Sequence, residues 1–245
     1  MISLGIDLSS QFKNTAAVLI TWRGGRARAE IPCLSCTDDD LYPLIAQADV
    51  VGIDAPFGWP VEFVNAVNNW PHETWSREAR DRLRFRETDR FVHQQQNVWP
   101  LSVSTDIISL PAMRAMSLLR RHGVADRSGD GRFFEVYPAA SLRAWGMNSR
   151  GYKETKSITS TSLRRKMINA LHDALPALDF SDSAFIANPD AFDALIASLT
   201  ARCAATGYTL GPSDTQRPLA QREGWIHLPT ELPPMKKSRD PRSQK

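Results

Sequence analysis

Asp7 closes an alternating run, Ile2-Ser3-Leu4-Gly5-Ile6-Asp7, and Asp54 closes a compact apolar run, Val50-Val51-Gly52-Ile53-Asp54. An acid at the end of an apolar strand adds nothing to the core. If half-buried it costs free energy unless a cation faces it. The C-terminal ends of parallel strands lie together at one edge of a sheet, where ligands bind. The competing reading of each acid is local: an Asx turn or a helix cap.

Asp190 and Asp193 are three residues apart after Asn188-Pro189, a helix start with Asn as N-cap and Pro at the first helical position. Residues three apart on a helix share a face. Asp190 has a local explanation, since it answers the helix dipole. Asp193 does not: its neighbours Ala191, Phe192, Ala194, Leu195 and Ala197 are those of a tightly packed helix. A packed helix that brings an acid toward strand-end acids makes a crowd of like charges, which a cation between them relieves. Asp7, Asp54, Asp190 and Asp193 are therefore the candidate metal ligands and catalytic acids. Glu135, in Phe133-Phe134-Glu135-Val136-Tyr137, is a fifth catalytic candidate, as ligand, proton-transfer group or support. Oxygen-only ligation suits Mg²⁺ or Mn²⁺. A two-metal site, with ions about 4 Å apart, would suit phosphodiester cleavage.

The elements that must hold these acids follow from the pattern. Residues 2–7, 15–22 and 27–31 read as an antiparallel three-strand meander, the last two joined by Arg23-Gly24-Gly25-Arg26. Residues 37–48 read as a helix capped by Thr37 or Asp38, and 50–54 as a strand that Pro56, Gly58 and Pro60 end. Residues 60–130 form a helical insertion, with Trp70, Trp75, Trp99 and an arginine-dense helix over 77–90. A strand at 133–137, helices at 161–175 and 188–204, and a last strand at 224–228 complete the domain. The expected fold is α/β: a mixed sheet of meander plus parallel strands, flanked by helices. One domain covers 1–230, and 231–245 is expected to be a disordered basic tail.

The net charge of +3 is too small to identify a partner, but its distribution is uneven. Residues 141–170 carry seven cations and one acid, Glu154. From this stretch Arg143, Lys153, Arg164 and Arg165 are candidate substrate-binding cations, with Trp145 and Tyr152 as exposed aromatics beside them. The competing reading is a solvated face. Three cysteines are too few for a disulfide framework, and Cys33-x-x-Cys36 lacks the further ligands of a zinc site, so free thiols are expected. No apolar run is long enough to span a membrane, and the N-terminus lacks a basic signal-like region. A cytoplasmic protein with no membrane partner is the expectation.

Six segments in order, Gly5-Ile6-Asp7-Leu8-Ser9, Gly52-Ile53-Asp54-Ala55-Pro56, Arg86-Glu87-Thr88-Asp89, Glu135-Val136-Tyr137-Pro138, Asp190-Ala191-Phe192-Asp193-Ala194-Leu195 and Glu223-Gly224-Trp225-Ile226, resemble domain-of-unknown-function family 429. That family is generally regarded as a predicted RNase H-like nuclease. Its helical motif resembles that of RuvC-type junction resolvases, which implies metal ligation by Asp7, Asp190 and Asp193, with Asp54 as the acid after the fourth strand. Arg86 and Asp89 match the family's Arg-x-x-Asp feature. Arg86 is thus a candidate phosphate grip, with an intra-helix ion pair to Asp89 as the competing reading. The segment between Asp54 and Glu135 is unlike a resolvase, so the substrate does not carry over. The implied activity is a divalent-metal-dependent nuclease acting on a nucleic acid or nucleotide. Two alternatives stay open: an actin-like or sugar-kinase-related ATP-binding protein, and a non-catalytic nucleic-acid-binding module. Against the first, Asp7 is followed by Leu8-Ser9-Ser10-Gln11 and not by a glycine-rich phosphate turn.

Overall fold

A computed structural model describes residues 1–69, 76–129 and 131–235. Trp70, Trp75 and the end of the tail, 236–245, lie outside the described residues. The chain order is β1 (Ile2–Asp7), β2 (Ala16–Arg23), β3 (Arg26–Ala29), β4 (Cys33–Leu34), α1 (Asp38–Gln47) and β5 (Val50–Asp54). The insertion follows with α2 (Val61–Asn68), α3 (Arg80–Arg84), α4 (Glu87–Gln96) and α5 (Ser109–Arg121), then β6 (Phe133–Glu135) and α6 (Pro138–Ala144). The last part is α7 (Ile158–Ala174), β7 (Leu178–Asp179), α8 (Asp182–Ala187), α9 (Pro189–Ala205), β8 (Thr209–Leu210), α10 (Arg217–Glu223) and β9 (Leu228–Pro229).

The main sheet has the order β6, β5, β1, β2, β3, β7, with β4 on β2. β1, β2 and β3 form the expected antiparallel meander, and β5 and β6 run parallel beyond β1. This is the mixed sheet flanked by helices that the sequence predicts, consistent with a ribonuclease H-like fold.

The period of two in the strands assigns the two faces. Leu4 and Ile6 of β1, with Val51 and Ile53 of β5, pack with Leu41 and Ile45 of α1 and Ala115, Leu118 and Leu119 of α5. Ser3, Gly5 and Asp7 alternate to the other face, where α9 crosses. Ser3 and Ser198 are joined Oγ to Oγ at 2.8 Å. A Cβ on Gly5 would lie 2.0 Å from the Ala194 carbonyl oxygen, and one on Gly52 would lie 2.6 Å from that of Ala197. Gly5 and Gly52 are register partners. Two bare backbones side by side let α9, lined by Ala and Ser, come down onto the sheet.

Several boundaries move. The expected helix over 77–90 is broken into α3 and α4, because Arg86 is extended (φ −71°, ψ 167°) and its N–H donates to the Asp89 carboxylate as a capping box. The strand expected over 224–228 is reduced to β9 and a single bridge from Ile226 to Glu135. Ordered packing continues past residue 230. Leu232 and Met235 pack against the α9 core, and the Pro234 carbonyl accepts from Arg202. Cys33 and Cys36 are paired as a disulfide, against the expectation of free thiols. Among the described residues no helix is long and apolar enough to cross a membrane.

Candidate carboxylate centre

The register of β1 and β5 places Asp7 directly beside Asp54. Asn188 caps α9 by accepting from the N–H groups of Asp190 and Ala191, with Pro189 in the first turn, as the sequence predicts. α9 therefore starts at the strand ends and runs back over the sheet, so Asp190 and Asp193 arrive where β1 and β5 stop. The electrostatics record the convergence. Burial first, then the charges of Asp193 and Asp54, push the Asp7 carboxyl well above the usual carboxylate range; Lys153 opposes and Asp190 adds to the push. Burial raises Asp54 to about 7, with Lys153 opposing and Asp193 and Glu135 adding. Asp190 is raised by burial and by Asp193. All four acids that the sequence singled out share one centre.

Their surroundings differ. Asp193 is buried, and both its oxygens are engaged: the Tyr152 hydroxyl donates to Oδ1 at 2.7 Å and Lys153 Nζ lies 2.5 Å from Oδ2. Burial works against the Lys153 charge, but Asp193, Tyr152, Asp54 and Asp7 together outweigh it and hold its pKa well above the ordinary lysine value. The Lys153 side chain is 58 % exposed overall, so it is its charged end that is sunk into the cluster. Asp7 and Asp54 are half-buried, and among the described residues no hydrogen bond or ion pair reaches either carboxylate. They line a cavity of about 700 Å³ together with Lys153 and Arg150. Pro100, Leu101, Ile107 and Pro111 of the insertion supply an apolar wall.

Glu135 lies beside the centre but is fully committed. It takes a bidentate pair from Arg86 (2.9 and 2.8 Å) and accepts the Phe57 N–H at 2.9 Å. It thereby ties the turn after Asp54 to β6, which makes it a support.

Arg86, a candidate phosphate grip from the sequence, is engaged within the protein. It is buried, and its five N–H donors go to Asp89, Glu135 and the Glu223 carbonyl. Burial opposes its charge, and Asp89 and then Glu135 outweigh that and keep its pKa above the ordinary arginine value. The ion pair with Asp89 was the competing sequence reading; the second partner, Glu135, is 49 residues away.

The cation-rich stretch is divided. Arg164 is buried and donates to the carbonyls of Ile186, Tyr152 and Glu154, so it cannot touch a substrate. Arg165 lies on a different cleft, with Thr155 and Lys156. Arg143 stands behind the cavity wall, bonded to the Gln96 carbonyl and Ser149 Oγ. Of those four cations, Lys153 is the one at the cavity. Trp145 and Tyr152 are not exposed aromatics: Tyr152 is buried, and Trp145 packs on the α9 core and donates to the Glu231 carbonyl.

One residue has a different role from the expected one, and three more belong to the site's surroundings without having been singled out for it. Tyr152 holds Asp193, and Arg150 is an exposed cation on the cavity wall. Glu223 accepts the N–H groups of Val61 and Glu87, which caps α2 and α4 together. Gly224, at φ +89°, passes where a Cβ would strike Glu135 Oε2 at 2.4 Å. The Glu-Gly-Trp-Ile segment was the available signal for the last two.

A mixed α/β sheet of this order, with acids at the ends of adjacent parallel strands and on the crossing helix, defines an α/β domain with a carboxylate centre. The chain belongs to the family described as protein of unknown function (DUF429), whose sequence model matches residues 5–217. No curated protein and no solved structure matches it.

Proposed function

We propose that the chain is a divalent-metal-dependent hydrolase of phosphodiesters, with Asp7 and Asp54 binding Mg²⁺ or Mn²⁺ at the cavity. The observation that carries this reading is the pair itself: two half-buried carboxylates, side by side in register, with no hydrogen bond or ion pair to either among the described residues and with pKa values raised despite the Lys153 charge nearby. Folding alone gives no reason to keep such a pair, because burying unpaired charge costs free energy. A cation removes that cost.

The residues fit a hard cation by donor type. Among the described residues no three carboxylate, imidazole or thiol groups are spaced to hold an ion by themselves. Mg²⁺ is ordinarily held by one or two carboxylates with waters and substrate phosphates, not by a full protein cage. When bound, the ion supplies Lewis-acid activation of water and charge stabilisation on the phosphate. The chain's own residues then orient the substrate. Arg150 and Lys153 offer positive charge to the phosphate, and the wall around Leu101 and Ile107 offers an apolar surface. The cavity is of small-ligand size, and most cations of 141–170 are turned inward or away. Both features favour a nucleotide-sized phosphodiester over a long nucleic-acid strand.

The test is hydrolysis of bis(p-nitrophenyl) phosphate and of short oligonucleotides with Mn²⁺, in wild type, Asp7→Asn and Asp54→Asn. Mn²⁺-dependent cleavage lost in both variants is expected. Cleavage unaffected by either substitution sinks the proposal. Mn²⁺ binding without cleavage of any phosphodiester would instead indicate a binding module, and tight ATP binding the kinase-related reading.

A further inference from the structure

The acids of the centre are not equivalent, and the difference is built into the fold. Asp193 has one oxygen on the Tyr152 hydroxyl and the other 2.5 Å from Lys153 Nζ. This lysine is not a loose surface side chain that has drifted onto an acid. Its backbone is pinned from behind by α7: Arg164 donates to the carbonyls of Tyr152 and Glu154, on either side of Lys153, and Ser160 Oγ donates to the Gly151 carbonyl at 2.7 Å. Arg164 is buried, so this clamp is part of the core. Asp7 and Asp54 feel the Lys153 charge but take no hydrogen bond or ion pair among the described residues.

An ammonium held on a buried carboxylate already supplies the charge that a metal ion would bring there. A divalent ion on the same carboxylate would sit within contact distance of that ammonium, and like charges so close repel. We infer that Lys153 is a fixed cation of the centre: the site takes a single divalent ion, on Asp7 and Asp54, and Asp193 serves Lys153 instead of the metal. This replaces the two-metal arrangement that the sequence led us to expect. It also departs from the ligand role that the resolvase-like motif implies for Asp193. The inference rests on the metal-dependent reading above. Lys153 then presents positive charge on the cavity wall, where a second ion would otherwise face the phosphate.

Calorimetric titration of the full chain with Mn²⁺ tests it. Wild type is expected to bind one ion. Asp193→Asn keeps hydrogen-bonding atoms for Tyr152 and Lys153 and is expected to bind Mn²⁺ within about threefold of wild type, well inside the roughly tenfold to 100-fold cost of weakening a metal site. Asp7→Asn is expected to lose far more. Lys153→Met, which frees Asp193, is expected to accept a second ion, and electron paramagnetic resonance should then show coupled Mn²⁺ pairs that wild type lacks. Thermal melts confirm that each variant is folded, and the wild-type stoichiometry needs no variant at all. Two ions in wild type, equal losses in Asp193→Asn and Asp7→Asn, or a single ion in Lys153→Met would each overturn the inference while leaving the metal-dependent reading standing. No Mn²⁺ binding by wild type would remove both.

Discussion

Asp7 and Asp54 are register partners at the ends of two parallel strands, and one pleat earlier Gly5 and Gly52 are register partners under the same helix. The two pairings depend on each other. The glycines let α9 descend, and the descent carries Asp193 down to the aspartates. A slip of one residue between β1 and β5 would destroy both, since it turns every side chain to the opposite face.

Asp7→Asn separates a functional acid from a structural one. The amide keeps the size and removes a charge that Asp193 and Asp54 disfavour. Mn²⁺ affinity is expected to fall, while the metal-free protein melts at the same temperature or higher. An aspartate that merely closed a turn would show the reverse, a loss on the order of 1 kcal/mol with metal affinity intact. Calorimetry and melts in chelator decide it.

Gly5→Ala tests the close approach. The new Cβ would meet backbone atoms of Ala194 and Ser198 at 2.0 and 2.2 Å, and backbone cannot give way as a flexible side chain can. A destabilisation of about 3 kcal/mol or more is expected in urea unfolding. Gly211→Ala, which meets nothing within 4 Å, should change stability by less than about 0.5 kcal/mol. If the two variants unfold alike, the glycine contact is not what sets the distance between helix and sheet.

Arg86→Met leaves Glu135 and Asp89 buried without their cation. Removing one partner of a buried pair costs roughly 3–5 kcal/mol. Arg86→Lys should recover little of it, because an ammonium cannot reproduce two bidentate forks. Full recovery by lysine in a denaturant titration would show that charge alone matters here.

His227 gives a pH dependence away from the centre. It is buried, with Nδ1 3.0 Å from Thr209 Oγ1 and Nε2 3.1 Å from the Ser128 carbonyl oxygen. Burial lowers its pKa from 6.5 to about 4. Above pH 6.5 the imidazole is neutral in both the folded and the unfolded chain, and its contribution to stability is fully present. As the pH falls from 6.5 toward 4, the unfolded chain takes up a proton that the folded protein refuses, and stability is lost. The loss is on the order of 3 kcal/mol. His227→Gln should flatten the stability profile in that window relative to wild type. The raised aspartates of the centre shift stability in the opposite sense, and equally in both proteins, so the difference between the two profiles isolates His227. Parallel profiles would rule out the buried neutral imidazole.

What the sequence determined by itself is whatever short-range geometry dictates. The alternation through Ile2 to Asp7, the apolar run into Asp54 and the Asn188-Pro189 helix start each fix a local backbone, and with it the face a side chain occupies. Those local rules sufficed to name the four aspartates and the meander. They could not say what a cation does. Arg86, Lys153 and Arg164 look alike in a sequence, as charged residues that belong on a solvated surface. Only the tertiary structure separates them: one is buried between Glu135 and Asp89, one is set on Asp193, and one is sunk beneath the loop that carries Lys153. Their partners lie 49, 40 and 12 residues away or are backbone carbonyls. No periodicity encodes a contact across that distance, because it exists only after α9 has settled on Gly5 and Gly52 and the chain has closed around it.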